Sequence, residues 1–226
     1  MTRRFPLLRW LREHGLVTVN LTLFIGFLIG MSITGWNVSN DDLVQHGMPA
    51  ETFGTFLTSG NFFEAVFENW ESEFLQMGSY VVFVIFLFQK GSSESKPLNK
   101  KAPQDEDPRL HANDPRAPWP VRRGGVALVL YENSLLILFL VLFIGAFVGH
   151  AVGGAAAYSD EQIEHGQPGV SALQYLGTSQ FWFESFQNWQ SEFMVVAVLA
   201  GAAVYLRQRG SSESKPVAAP HSETGV

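Results

Sequence analysis

All fifteen Lys and Arg residues of this chain lie in three short stretches, and the long segments between them hold none. The basic stretches cover residues 3–12, 90–123 and 207–215, whereas residues 13–89 and 124–206 contain no Lys or Arg. Multi-span membrane proteins concentrate their basic residues on the cytoplasmic side of the bilayer. The pattern therefore predicts that both termini and the central basic segment are cytoplasmic.

Four apolar runs lie between the basic stretches and predict four membrane-spanning helices. Residues 16–35 carry no charge, and His150 is the one ionisable residue in 135–154, so each run can cross a hydrocarbon core of about 30 Å. The runs at 74–88 and 193–206 are shorter, so we expect their helices to begin further out. The predicted location is a plasma membrane that the chain crosses several times, with the lipid bilayer as the main partner.

Charge and composition exclude several classes of function. The predicted external segments hold twelve of the twenty-one acidic residues and no Lys or Arg, which favours cations there and argues against a nucleic-acid partner. The absence of Cys excludes disulfides, thiolate metal sites and cysteine nucleophiles. Because no HExxH, nucleophile-elbow, phosphate-loop or dinucleotide-binding motif occurs, the sequence predicts that the protein is not an enzyme.

The chain is an internal duplication. A displacement of 119 residues aligns residues 3–97 with residues 122–216 without a gap. The stretch from Asn69 to Phe74 recurs with one difference at 188–193. The heptapeptide Gly-Ser-Ser-Glu-Ser-Lys-Pro at 91–97 recurs unchanged at 210–216.

The duplication sets the predicted architecture. Each copy has two spans and so enters and leaves the bilayer on the same side, which makes the repeats parallel. We predict an all-α fold, a four-span transmembrane bundle of two tandem helical hairpins related by a pseudo-two-fold axis along the membrane normal. The predicted parts are a first repeat (3–97), a flexible cytoplasmic linker (98–121), a second repeat (122–216) and a disordered tail (217–226).

Two recurring patterns predict helix packing. GxxxG pairs allow close approach of helix backbones, and both copies have one in their first helix, at Gly26 and Gly30 and at Gly145 and Gly149. Aromatic residues at helical spacing precede the second apolar run of each copy and predict an interfacial belt. They are Phe67, Trp70 and Phe74, then Phe186, Trp189 and Phe193.

The segment 59–77, together with the heptapeptide that follows its helix, resembles an uncharacterised family of small bacterial membrane proteins, a domain of unknown function. The resemblance covers residues 13–97 and 132–216, and its most specific element is Glu-Asn-Trp-x-Ser-Glu-Phe. The second copy departs from it, with Gln187 and Gln190 in place of Glu68 and Glu71. The resemblance implies the architecture and no mechanism.

A polar set at the outer end of the second helix of each copy is the main candidate site. Its members are Asn69, Ser72 and Glu73 with their repeat equivalents Asn188, Ser191 and Glu192. A carboxylate in the outer leaflet is costly and is usually functional or paired. If the two faces meet, their oxygens suit a hard cation or a shared proton. The alternative is that they act as interhelical hydrogen bonds.

Two further recurring features have weaker functional interpretations. His46 and His165 lie in external loops beside acidic residues and are candidate metal ligands, although a His-Gly pair in a loop is more often a turn with a local hydrogen bond. The heptapeptides suit a cytosolic partner or a helix-ending cap.

We expect a non-enzymatic envelope scaffold or interaction protein, which could also form homo-oligomers. The alternatives are a small-cation or proton-handling protein that uses paired outer-leaflet carboxylates, and a metalloprotein with external His and acidic loops.

Overall fold

The computed structural model describes residues 6–98 and 100–225. These residues form α-helices, two short 3₁₀ turns and connecting loops, with no strand among them. The long apolar runs without Pro favour helices throughout. The predicted all-α class is confirmed.

Four long helices make up most of the structure. They are α1 (Pro6–Gln45), α3 (Gly60–Phe86), α6 (Ser134–Glu164) and α8 (Ser179–Tyr205). Short helices lie between them: α2 (Phe53–Phe56), α4 (Trp119–Arg123), α5 (Gly125–Glu132) and α7 (Ala172–Tyr175). Two of the long helices, α1 and α6, are long and apolar enough to cross a membrane.

In the second part of each copy the helices begin and end at the same repeat positions, whereas α1 is continuous where the second copy has α5 and α6 separated at Asn133. α7 and α8 start and finish 119 residues after α2 and α3. Their starts are capped alike, because Ser59 Oγ accepts a hydrogen bond from Phe62 N and Thr178 Oγ1 accepts one from Phe181 N. The duplicated sequence therefore gives the same local structure twice.

The most extensive helix contact joins the two copies, α3 against α6. Glycines allow this approach, because a Cβ at Gly60 would lie 2.5 Å from Ala157 N and a Cβ at Gly153 would lie 2.7 Å from Glu64 N. A pseudo-two-fold axis exchanges α3 with α8 and α6 with α1, so it would repeat this contact between α8 and α1. The described residues show no comparable contact between those two helices, so the axis stays a prediction.

The helix α1 is held mainly near its C-terminal end. Trp36 Nε1 donates to the Glu51 carbonyl over 2.9 Å, and the Asn40 side chain both donates to and accepts from the Glu51 backbone. Further inward its apolar side chains face outward, with Leu16 81% and Phe27 71% exposed. This helix presents an apolar surface that the rest of the described chain leaves uncovered.

The two heptapeptides have the same conformation and lie beside each other. Gly91 and Gly210 both have φ of +87°, and Ser93 Oγ donates to the Glu213 carbonyl over 3.0 Å. The predicted linker contacts the first heptapeptide, because Lys96 Nζ lies 2.6 Å from Asp105 Oδ1, and this hydrogen bond lowers the pKa of Asp105. The tail, for which the sequence predicts disorder, is held by Lys215 Nζ, which donates to the carbonyls of Pro220, His221 and Glu223.

Candidate functional site

A buried line of three ionisable side chains lies where α3, α6 and α8 meet. His150 on α6 and Glu71 on α3 are both fully buried, and His150 Nδ1 lies 2.8 Å from Glu71 Oε2. The other ring nitrogen, Nε2, lies 3.2 Å from Glu184 Oε2 on α8. The imidazole therefore bridges carboxylates from two different helices.

The Glu71 carboxylate is itself fixed by α8. Trp189 Nε1 donates to Glu71 Oε1 over 3.1 Å, and Ser185 Oγ donates to the same oxygen over 3.4 Å. A carboxylate held in this way sets the ring orientation of the histidine that it contacts. Glu71 thus leaves Nε2 as the histidine nitrogen that faces the other acidic residues.

Tyr175 on α7 joins the remaining carboxylates. Its fully buried phenol oxygen lies 3.1 Å from Glu64 Oε1 and is also in hydrogen-bond contact with Glu184 Oε2. A phenol has one proton and can donate to only one of these two acceptors. The contact to the second carboxyl therefore needs a further proton or a cation.

Negative charge exceeds positive charge in this cluster. Glu68 adds a fourth carboxylate, which accepts a hydrogen bond from Asn188 Nδ2. One imidazole is the only basic group among them, and the sequence places no Lys or Arg between residues 13 and 89 or between 124 and 206. Glu71 is fully buried and the other three carboxylates are half-buried, so protons or a cation of the solvent would offset their excess charge.

Three ligand atoms of the cluster are close enough together for one metal ion. A carboxylate oxygen of Glu64, a ring nitrogen of His150 and a carboxylate oxygen of Glu184 all lie within 4.8 Å of one another. Metal bonds to these atoms are about 2.0 to 2.2 Å long, so the side chains would need to close in by less than about 1 Å. We call Glu64, His150 and Glu184 the three-ligand group.

Aromatic rings form the wall of the site. The His150 ring stacks on Phe181 with centroids 4.6 Å apart, and Tyr175 meets Phe181 edge to face at 5.6 Å. Gly154 makes room for the tyrosine, because a Cβ there would lie 2.5 Å from the Tyr175 ring. The group is therefore set in a closely packed, apolar surround.

The six polar residues predicted from the sequence lie beside this cluster and bond mostly within their own helices. Ser72 Oγ donates to the Asn69 carbonyl, and Ser191 Oγ donates to the Asn188 carbonyl. Asn188 contacts the cluster through Glu68. Glu73 is exposed, and it is near enough to Glu192 for mutual electrostatic repulsion. A cation or proton site at this pair stays a prediction.

The predicted packing residues are divided between contacts and open surface. A Cβ at Gly149 would lie 2.5 Å from the Phe67 ring, whereas Gly26, Gly30 and Gly145 have open space around them. The aromatic residues form continuous edge contacts along each helix, with Phe67 and Trp70 at 5.6 Å and Phe186 and Trp189 also at 5.6 Å. Of the remaining members, Phe74 contacts Trp70 on its own helix, and Phe193 contacts Phe83 on α3.

The two loop histidines form turns at the ends of α1 and α6. His46 Nδ1 lies 3.0 Å from the Asp42 carbonyl, and His165 Nδ1 lies 2.8 Å from the Glu161 carbonyl. The following glycines, Gly47 and Gly166, have φ of +73° and +72°. The groups of possible metal ligands among the described residues do not include either histidine, so the loop metal site stays a prediction.

Reasoning from the repeat did not identify the cluster, because its members differ between the copies. Glu64, Glu68 and Glu71 align with Phe183, Gln187 and Gln190, while His150, Tyr175 and Glu184 align with Met31, Phe56 and Ala65. Those differences between the copies could have indicated the cluster. Each half contributes acidic or basic residues at positions where the other half has none.

One comparison with known proteins finds a match. The model of a family described as a domain of unknown function, DUF6766, matches residues 7–226. No curated protein and no solved structure matches the chain significantly. The match confirms the predicted resemblance to an uncharacterised domain family. Since it covers nearly the whole sequence, this chain belongs to the DUF6766 family.

Proposed function

We propose that this chain is a non-enzymatic integral membrane protein that binds a divalent metal ion at the three-ligand group. The observation that carries the proposal is the line Glu71, His150 and Glu184, in which one carboxylate orients the imidazole and another contacts its second nitrogen. Metal-binding histidines in proteins have this arrangement.

Exposed apolar surface supports the membrane location. In the most apolar 18-residue segment of each helix, only 6% of α1 and 17% of α6 is buried. The core helix of a soluble protein would be mostly buried, and neither helix is. Contiguous apolar surface of this extent requires lipid or a partner to cover it. In our proposal α3 and α8 also cross the bilayer, and the two repeats form a four-span bundle.

The same topology places the metal site on the external side. At 1.5 Å per residue the 31 residues of α6 extend about 46 Å, longer than the hydrocarbon core. In this topology His150 lies toward the outer end of the apolar run 135–154, and Glu64 and Glu184 lie in the second turns of α3 and α8. An ion would therefore enter from outside the cell.

The donor set favours a transition metal over calcium or magnesium. Imidazole suits Zn²⁺ and its neighbours in the first row, and carboxylates suit Zn²⁺ and Mn²⁺, whereas Ca²⁺ takes six to eight oxygen ligands. Three protein ligands and one water molecule would complete the four-coordinate geometry that Zn²⁺ prefers. Zn²⁺ is the first ion to test.

The test is metal-dependent thermal stability of the purified protein in detergent. An ion at about 100 times its Kd stabilises the folded state by about 2.7 kcal/mol, which raises the Tm by about 5 to 10 °C for a chain of this size. We expect this rise with Zn²⁺ or Mn²⁺ and not with Ca²⁺ or Mg²⁺. It should be absent from His150→Gln.

The control for this experiment is a variant of the Glu73–Glu192 pair. The double variant Glu73→Gln and Glu192→Gln alters the same residue type on the same two helices and leaves the three-ligand group intact. It should keep the full metal response. A parent protein whose Tm does not respond to any of the four ions would overturn the proposal and favour the scaffold hypothesis. Loss of the response in this double variant would instead assign the ion to the Glu73–Glu192 pair.

Cysteine labelling in intact cells tests the proposed membrane topology. Cysteines introduced near Gln104 and Ala218 should be shielded from an impermeant thiol reagent in intact cells, while cysteines near Asn40 and Ser159 should react. The reason is that Lys and Arg are confined to the segments that we place in the cytoplasm. The native chain has no Cys, so each labelled position can be read without background. Labelling near Gln104 would contradict the proposed topology.

A further inference from the structure

The two identical heptapeptides differ in what covers them. Residues of the tail lie on the first heptapeptide, where Gly91 N donates to Thr224 Oγ1 over 2.8 Å and Gly225 N donates to the Ser92 carbonyl over 3.0 Å. Gly91 and Ser92 are buried beneath this segment. The first heptapeptide is thus an occupied peptide-binding surface.

The second heptapeptide has the same shape and is open. Gln208 N donates to Ser214 Oγ as Gln89 N donates to Ser95 Oγ. A Cβ at Gly91 would collide with the His221 carbonyl, whereas one at Gly210 would meet nothing within 4 Å. In the described part of the chain, no hydrogen-bond partner reaches the Gly210 N–H or the Ser211 carbonyl, the groups equivalent to those that hold the tail.

We propose that the second heptapeptide is a docking groove for an extended segment of a cytosolic protein. The groove has a volume of about 340 Å³ and is lined by residues 208–212 and 214–217. By the same contacts as in the first copy, the segment carries a hydroxyl residue followed by glycine. The exposed Arg209 at its edge favours an acidic residue before that pair, as Glu223 precedes Thr224 in the tail.

The test uses a labelled peptide with the sequence of residues 217–226 and the full-length protein in detergent. The protein's own tail occupies the first heptapeptide, so we expect one peptide to bind per chain, measured by fluorescence anisotropy up to about 1 mM, the scale of effective concentration for short tethers. Replacing Thr by Val in the peptide removes the hydroxyl acceptor and should abolish binding.

Two glycine variants locate the binding. Gly210→Ala places a methyl group in the groove and should abolish peptide binding, while the tail stays protected from protease. Gly91→Ala imposes the same strained backbone at φ of +87° and should release the tail to protease instead. Absence of peptide binding to the parent protein, or unchanged binding to Gly210→Ala, would overturn the proposal.

Discussion

Replacing Glu71 by Ala is expected to lower both stability and metal affinity. The change leaves His150 Nδ1, Trp189 Nε1 and Ser185 Oγ without the acceptor that they share. Removing one partner of a buried ionic pair typically costs about 3 to 5 kcal/mol. Loss of the carboxylate that orients a metal-binding histidine reduces affinity by about 10- to 100-fold. Thermal melting and zinc titration of the purified protein measure the two effects.

The repeat supplies the control for this variant. Gln190 occupies the position equivalent to Glu71, but its side chain is exposed and its amide nitrogen donates only to the Gln187 carbonyl of its own helix. Gln190→Ala should therefore leave the Tm within about 1 °C and the zinc affinity unchanged, since surface substitutions are usually neutral. If Glu71→Ala behaved like Gln190→Ala, the buried line would have no role in either property.

Replacing Gly153 by Leu is expected to separate α3 from α6. Even a Cβ at this position would lie 2.7 Å from Glu64 N and 2.8 Å from Phe63 Cβ, and the helix backbone of α3 cannot move aside locally. Overpacking of this kind costs about 1 to 3 kcal/mol, and a larger side chain costs more. Because Glu64 follows the backbone of α3, we expect the metal response to weaken together with the Tm.

Gly145 offers the matched comparison on the same helix. It has open space around its Cβ position, so Gly145→Leu should not disturb packing. An exposed glycine within a helix is less favourable than a better helix former by about 1 kcal/mol, so the Tm should stay level or rise. A fall of equal size in both variants would mean that glycine itself, rather than the α3–α6 contact, is needed along α6.

Local structure could be predicted from the sequence because its causes are local. The apolar runs predicted helices where α1, α3, α6 and α8 lie, and Ser59 and Thr178 stand where the caps of α3 and α8 are needed. The duplication predicted that the two copies would have equivalent helices. The relative bounds of α2 and α7, and of α3 and α8, are identical and agree with that expectation, while the equivalent of α1 is divided into α5 and α6.

The site could not be predicted because it depends on which helices meet. A hairpin repeat suggests that α3 pairs with α1 and α8 with α6, yet α3 packs mainly on α6. That pairing brings Glu71 to His150 across 79 positions of sequence. Neither residue has a charged equivalent in the other copy, so a search for recurring polar residues passes over both.

Because the cluster lies between the two copies, ion binding at this site would depend on the two halves of the chain being packed together. Glu64 and Glu71 come from the first half of the chain, whereas His150, Tyr175 and Glu184 come from the second half. Neither half alone could hold the ion with its three ligands, so binding energy would act on the contact between the halves and not on either hairpin by itself. Removing the ion in the cell would then loosen the contact of α3 with α6 and α8, and external metal supply would set how much of the protein is correctly assembled.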